Sequence, residues 1–256
     1  MISKLLQPPI KLALAIILAL TMLGSNSASI KAENNPNNNS DPPPVPNTGT
    51  PSGDPTPGTT RPQATCPKTS KPLTALMANN GSDYTLSEYP TFWFYVPYAP
   101  DQISYMEFLL LDGKERQTIY QTAVKLTEKP GIIKIKIPSE SQYSFKFNEI
   151  YHWYFKVNCK SERTNQPELV IDGWVQRQPL NLHLRNQIEV AHPKEYLIHK
   201  ENAFWYDAIA NLAQQHFSHP ENLQLHEDWA NLLKFLGYEW VIEEPFVNSV
   251  LLPSLD

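Results

Sequence analysis

Three groups of residues in this 256-residue chain have the types and spacing to do chemistry. The first is His216-Phe-Ser-His219, with His226 beyond the next turn and Glu227 and Asp228 beside it. Imidazoles three apart at a helix end could share a zinc ion, but a closed zinc site needs four ligands in supported geometry, and histidines at helix ends commonly act as caps. The second group is Glu88, Glu107 and Asp172, with His152 set between two aromatic residues. Two facing carboxyl groups would suit glycoside cleavage and a strand histidine could serve as a general base; the plainer reading makes all four solvated or hydrogen-bonded strand residues. The third group is aromatic. Trp93, Tyr95, Tyr154 and Trp174 fall where strands turn away from a core, and flat rings there could stack on a sugar or anchor a protein partner.

Other chemistries find no support. There is no Gly-x-Ser-x-Gly elbow, no glycine-rich phosphate loop and no His-Glu-x-x-His motif, and nine glycines leave little material for a phosphate cradle. Cys66 and Cys159 are the only cysteines, and in an oxidising compartment they serve better as a disulfide than as nucleophiles. Closing a loop of roughly 90 residues would stabilise the fold by about 4 to 5 kcal/mol in the chain-entropy model; two buried free thiols are the alternative. Residues 66–182 carry 13 Lys and Arg against 12 Asp and Glu, whereas residues 183–256 carry 4 against 11. Neither part clusters cations, which argues against a nucleic-acid partner, and the acidic tail would be repelled by anionic lipid. No cofactor and no metal is expected, and no catalytic residue is assigned.

The elements that position these residues follow from composition and period. Lys4 and Lys11 precede an apolar run from Leu12 to Leu23, the layout of a secretory signal peptide over residues 1–32 with cleavage after Ala28 or Ala32. The run is short for a membrane span, which needs about 20 apolar residues, so an uncleaved anchor is the lesser reading and no stable membrane insertion is expected after cleavage. Residues 33–65 hold nine of the chain's 24 prolines among Asn, Thr, Gly and Ser, and read as a disordered spacer.

From residue 66 to 182 the pattern is strands and turns. Phe92, Phe94 and Val96 alternate with Trp93 and Tyr95; Met106, Phe108 and Leu110 with Glu107, Leu109 and Leu111; Ile133, Ile135 and Ile137 with Lys134 and Lys136. Further strands are expected over 73–77, 117–125, 149–158 and 169–177, making a mainly β, immunoglobulin-like antiparallel sandwich. Tyr151 is placed as a tyrosine corner, with Trp153, Phe155 and Val157 following it into the core. Over residues 183–256 the period becomes helical. Trp205, Ile209, Leu212 and Ala213 form one stripe, and Trp229, Leu232, Leu233 and Leu236, ended by Gly237, form a second. A short acidic helical hairpin should therefore pack on the sandwich, and its nearest apolar surface is the outer face on which Trp93, Tyr95 and Tyr154, with Trp174, would form one aromatic platform.

Several segments carry a resemblance: Lys71 to Leu76, Leu86 to Tyr98, Pro130 to Ile133, Tyr151 to Phe155, Gly173 to Arg177, and Trp205 to Ala208 with the later Trp229. Together they are similar to the signature segments of the domain of unknown function 928 family, whose members are mainly cyanobacterial exported proteins. That resemblance implies export and the extent of the domain, and supplies no activity, cofactor or site residue. The reading is a secreted or periplasmic, non-catalytic interaction or assembly module, with a protein or an envelope polysaccharide as partner. A carbohydrate-binding or cell-envelope-binding module using the outward aromatics is the alternative, followed by a cryptic enzyme.

Overall fold

The computed structural model describes residues 66–78, 83–160 and 169–253. The expected leader over 1–32 and spacer over 33–65 lie outside the described residues. Two open sheets face each other across one core. The smaller holds β1 (Thr74–Ala75), β3 (Thr91–Val96) and β6 (Gly131–Lys136) in the order β1-β3-β6. The larger holds β2 (Asp83–Thr85), β4 (Ile103–Asp112), β5 (Thr118–Leu126), β7 (Ile150–Cys159), β8 (Leu169–Arg177) and β9 (Ser249–Pro253), in the order β2-β8-β7-β4-β5-β9. All ladders are antiparallel except β2 against β8.

Strand alternation decides which residues enter the core. Phe92, Phe94 and Val96 meet Met106, Phe108, Leu110, Trp153, Phe155 and Val157 from the opposite sheet, all buried. The Phe94 ring stacks on Phe155 at 4.4 Å and meets Trp153 edge-on at 5.4 Å. Trp153 needs a glycine beside it, because a Cβ at Gly173 would lie 2.5 Å from its Cζ2. The Lys146 amide donates to Tyr151 Oη at 2.9 Å, folding the tyrosine back on the corner that precedes its strand. Cys66 and Cys159 form the disulfide, tying the chain before β1 to the end of β7.

Two strands escape the periodicity. β2 has three residues, too few to show a period, and β9 lies beyond the helical stripes in a segment read as helical tail. The helices also differ from the expected hairpin: among the described residues there are four, α1 (Leu182–Ala191), α2 (Glu195–Glu201), α3 (Trp205–Ser218) and α4 (Leu223–Leu236). The hairpin is α3 with α4, closed by Gly237 in the left-handed region at φ 81° with Tyr238 N–H donating to Leu233 O. The first two helices carry weak stripes, burying Leu184 and Tyr196 respectively, so the expected pattern is absent from them. A polar signal was present for α1, where the Asn181 side chain accepts from Leu184 N–H at 2.8 Å as an N-cap.

The start of α3 joins helices to sheets. Tyr206 enters the sandwich core against Phe92 at 5.2 Å, accepts from Trp153 Nε1 at 2.7 Å and donates to the Trp174 carbonyl at 3.2 Å. Its neighbour Asp207 accepts from Leu86 N–H at 2.8 Å and from Thr85 Oγ1 at 3.1 Å, which holds α3 to the end of β2. Burial pushes the Asp207 carboxyl up to about 6, although those hydrogen bonds favour its charge.

A carboxyl held above its unfolded value favours folding in its protonated form. That contribution is complete below about pH 4 and is lost as pH rises through about 6. From Asp207 alone, unfolding free energy should fall by about 3 kcal/mol across that window. Denaturant titrations over the same range should show that fall as the difference in slope between the wild type and Asp207→Asn, which stays neutral and keeps one acceptor, because the oppositely signed contributions of half-buried His199 and His216 are common to both. An unchanged slope in the variant would show that Asp207 is not its source.

Candidate functional site

The third aromatic group does not form one platform, because its members lie on different sheets. Trp93 and Tyr95 project from the outer side of the three-stranded sheet and are 4% and 5% exposed. They pack with Ile132 under Trp205, Ile209 and Leu212 of α3 and Trp229 and Leu233 of α4. The segment after α4 completes the cover: Phe246 meets Trp93 edge-on at 5.6 Å, and Trp240 meets Tyr95 likewise at 5.6 Å. Burial, with the charge of Glu244 nearby, pushes the Tyr95 hydroxyl up to about 12. Tyr154 and Trp174 lie instead on the outer side of the six-stranded sheet, half-buried.

Register assembles a cluster there. β7 and β8 place His152 opposite Trp174 and Tyr154 opposite Asp172. Directly opposed residues on one face are close enough for rings to stack, and His152 lies on Trp174 with centroids 3.9 Å apart and planes 12° from parallel. Diagonally, His152 Nε2 reaches Asp172 Oδ2 at 2.8 Å. The turn joining β4 to β5 brings in Glu115, whose Oε1 is 2.6 Å from His152 Nδ1. Asp112 shapes that turn by accepting from the amides of Arg116 and Gln117, both at 2.7 Å, and Glu115 sits in the left-handed region at φ 55°. Tyr154 Oη donates to Glu115 at 3.1 Å, and burial, then the Glu115 charge, pushes its hydroxyl upward.

The His152 side chain is 5% exposed, whereas those of Glu115 and Asp172 are 45% and 49% exposed. Both ring nitrogens of His152 are engaged, Nδ1 by Glu115 and Nε2 by Asp172. Its role is to fix the ring of Trp174 and the two carboxylates in one arrangement. Neither Glu115 nor the pairing of His152 with Asp172 stood out in sequence, because both depend on register and on the path of a turn.

The other candidates separate. Glu107 accepts from Gln121 at 2.5 Å and Tyr105 at 2.9 Å and faces Lys156 at 3.3 Å. Burial works against its charge, but these donors outweigh it and hold the carboxyl below the usual range. Glu88 accepts from Ser144 Oγ at 2.6 Å and lies 3.5 Å from Arg177; the Ser144 hydrogen bond leads in holding it low. Glu88, Glu107 and Asp172 therefore belong to three separate networks, and the arrangement pairs none of these three carboxyl groups with another. Among the histidines, His216 Nε2 is 3.4 Å from His226 Nδ1, while His219 turns back to the Gln215 carbonyl at 3.2 Å. Burial, then His226, pushes the His216 imidazole down. Among the described residues no three His, Cys, Asp or Glu side chains could hold a metal ion together, and no helix is long and apolar enough to cross a membrane.

The chain is thus a β-sandwich capped by helices on one sheet and carrying a locked aromatic and carboxylate cluster on the other. Residues 56–246 match the family described as Domain of Unknown Function (DUF928), and the chain belongs to that family. No curated protein matches it.

Removing the histidine ring should release its neighbour. In His152→Ala, the Trp174 indole resonance should move as the stacked ring is lost, and its hydrogen exchange should quicken, with the far-UV circular dichroism unchanged. An unmoved Trp174 resonance would show that the stack is not maintained in solution.

Proposed function

We propose that this chain is an exported, non-catalytic interaction module whose contact surface is the outer face of the six-stranded sheet around Trp174 and Tyr154. The observation that carries this reading is the ordering of that patch before any partner arrives: Trp174 stacked on His152, and His152 held between Glu115 and Asp172. Tryptophan and tyrosine are enriched at the centres of interfaces, and side chains already fixed lose less entropy on association. Trp93 and Tyr95, the competing candidates, are closed off by α3, α4 and the segment after them. Export rests on the leader at residues 1–32, and the Cys66–Cys159 bridge agrees with an oxidising compartment. The partner favoured is a protein.

An envelope polysaccharide is the second reading. One observation favours it: a half-buried indole is bordered by partly exposed carboxylates, and a sugar uses both, its apolar face on a ring and its hydroxyls on acceptors.

Envelope extracts passed over the immobilised protein and over Trp174→Ala/Tyr154→Ala separate the readings. The proposal expects a protein retained by the wild type and lost with the variant. A purified envelope polysaccharide pelleting with the wild type alone would select the second reading. Equal retention by both proteins would overturn the assignment of the surface.

A further inference from the structure

The six-stranded sheet is not continuous along its length. β4 and β5 pair from Leu111 and Thr118 as far as Glu107 and Ala123, where their ladder ends. Below that rung β4 continues against β7, with Ile103 opposite Cys159, and β5 continues against β9, with Leu126 opposite Ser249. Between the diverging strands lies a cavity of about 680 Å³, within the range of roughly 300–1,000 Å³ typical of small-molecule sites. Its floor is the sandwich core, through Met106, Val124 and Leu126, and Ile103 and Leu252 supply apolar walls.

Among the described residues, the charged groups lining this cavity are of one sign. Lys125 and Lys160 line it, both are exposed, and neither forms an ion pair among the described residues. Glu107, on the last rung of the β4–β5 ladder, is already taken by Gln121, Tyr105 and Lys156. An apolar floor beneath two lysines that form no ion pair among the described residues matches a ligand with a greasy body and one anionic end. Lysine stems lie along apolar surface while the ammonium groups stay in water, which allows the head of such a ligand to remain solvated as its chain is buried.

We propose that the cleft between β4 and β5 binds a single-chain carboxylate amphiphile, its chain against Met106, Val124 and Leu126 and its headgroup at Lys125 and Lys160. This site is separate from the Trp174 face, and either assignment stands if the other fails.

The test is calorimetric titration with dodecanoate below its micelle concentration and with dodecan-1-ol as the uncharged probe. The wild type should bind dodecanoate saturably at one site and more tightly than the alcohol. Lys125→Ala/Lys160→Ala should weaken dodecanoate by about tenfold and leave dodecan-1-ol unchanged. Leu252→Trp, which fills the cleft from β9, should remove both. No saturable binding by the wild type would overturn the proposal, as would equal dodecanoate affinity in the lysine variant or binding undisturbed by Leu252→Trp. The lysine variant changes exposed positions alone and decides the question if Leu252→Trp unfolds.

Discussion

Four consecutive residues, Phe204 to Asp207, hold the described structure together by entering different surroundings. Phe204 packs with Tyr84 and Leu184, Trp205 with the helical core, Tyr206 with the sandwich core, and Asp207 with the backbone after β2. Successive residues of a helix point about 100° apart, so a helix start can address several surfaces only where those surfaces meet. The entry to α3 is such a place. Ala203, just before it, takes φ 61°, a left-handed conformation that an L-residue adopts at a cost of about 1–2 kcal/mol. Burial of three rings in three clusters offsets that cost, and Asp207 sets the direction of the helix by accepting from two donors.

This join decides which surfaces remain available. With α3 fixed at its start and α4 folded back along it, Trp93 and Tyr95 become the floor of a helix-to-sheet core. Aromatic rings that would be sticky on a bare sheet are used as packing. The outer face of the larger sheet has a different fate: Trp174 is stacked on His152, His152 and Tyr154 are held by carboxylates, and the half-buried rings remain within reach of a partner. The protein thus has one closed aromatic face and one half-open one, and the functional proposal rests on that asymmetry.

Much of the sandwich was legible because period two is a strong signal. Phe92, Phe94 and Val96, and likewise Trp153, Phe155 and Val157, alternate cleanly, and alternation fixes which side of a strand is buried. The stripes of α3 and α4 were legible for the same reason at the helical period. α1 and α2 were not, since each is held by few buried side chains and neither needs a stripe. β9 was missed because its pairing with β5 joins residues more than a hundred positions apart, and no local pattern reports that. The candidate site was legible only in its parts. His152, Tyr154, Asp172 and Trp174 could be placed on strands, but their meeting depends on the β7–β8 register, and Glu115 depends on a turn shaped by Asp112. The grouping of Trp174 and Tyr154 with Trp93 and Tyr95 failed because alternation gives the side of each strand, not the sheet to which the strand belongs.

The central claim is that helices and sandwich form one cooperative unit through the start of α3. Native-state amide hydrogen exchange tests it most directly, by comparing Leu212 and Ala213 of α3 with Phe92 and Phe94 of β3. If the join holds, all four amides open with the same free energy, equal to that of global unfolding. Exchange of α3 at a free energy several kcal/mol lower, with β3 still protected, would show that the helices are a detachable layer and would contradict the account.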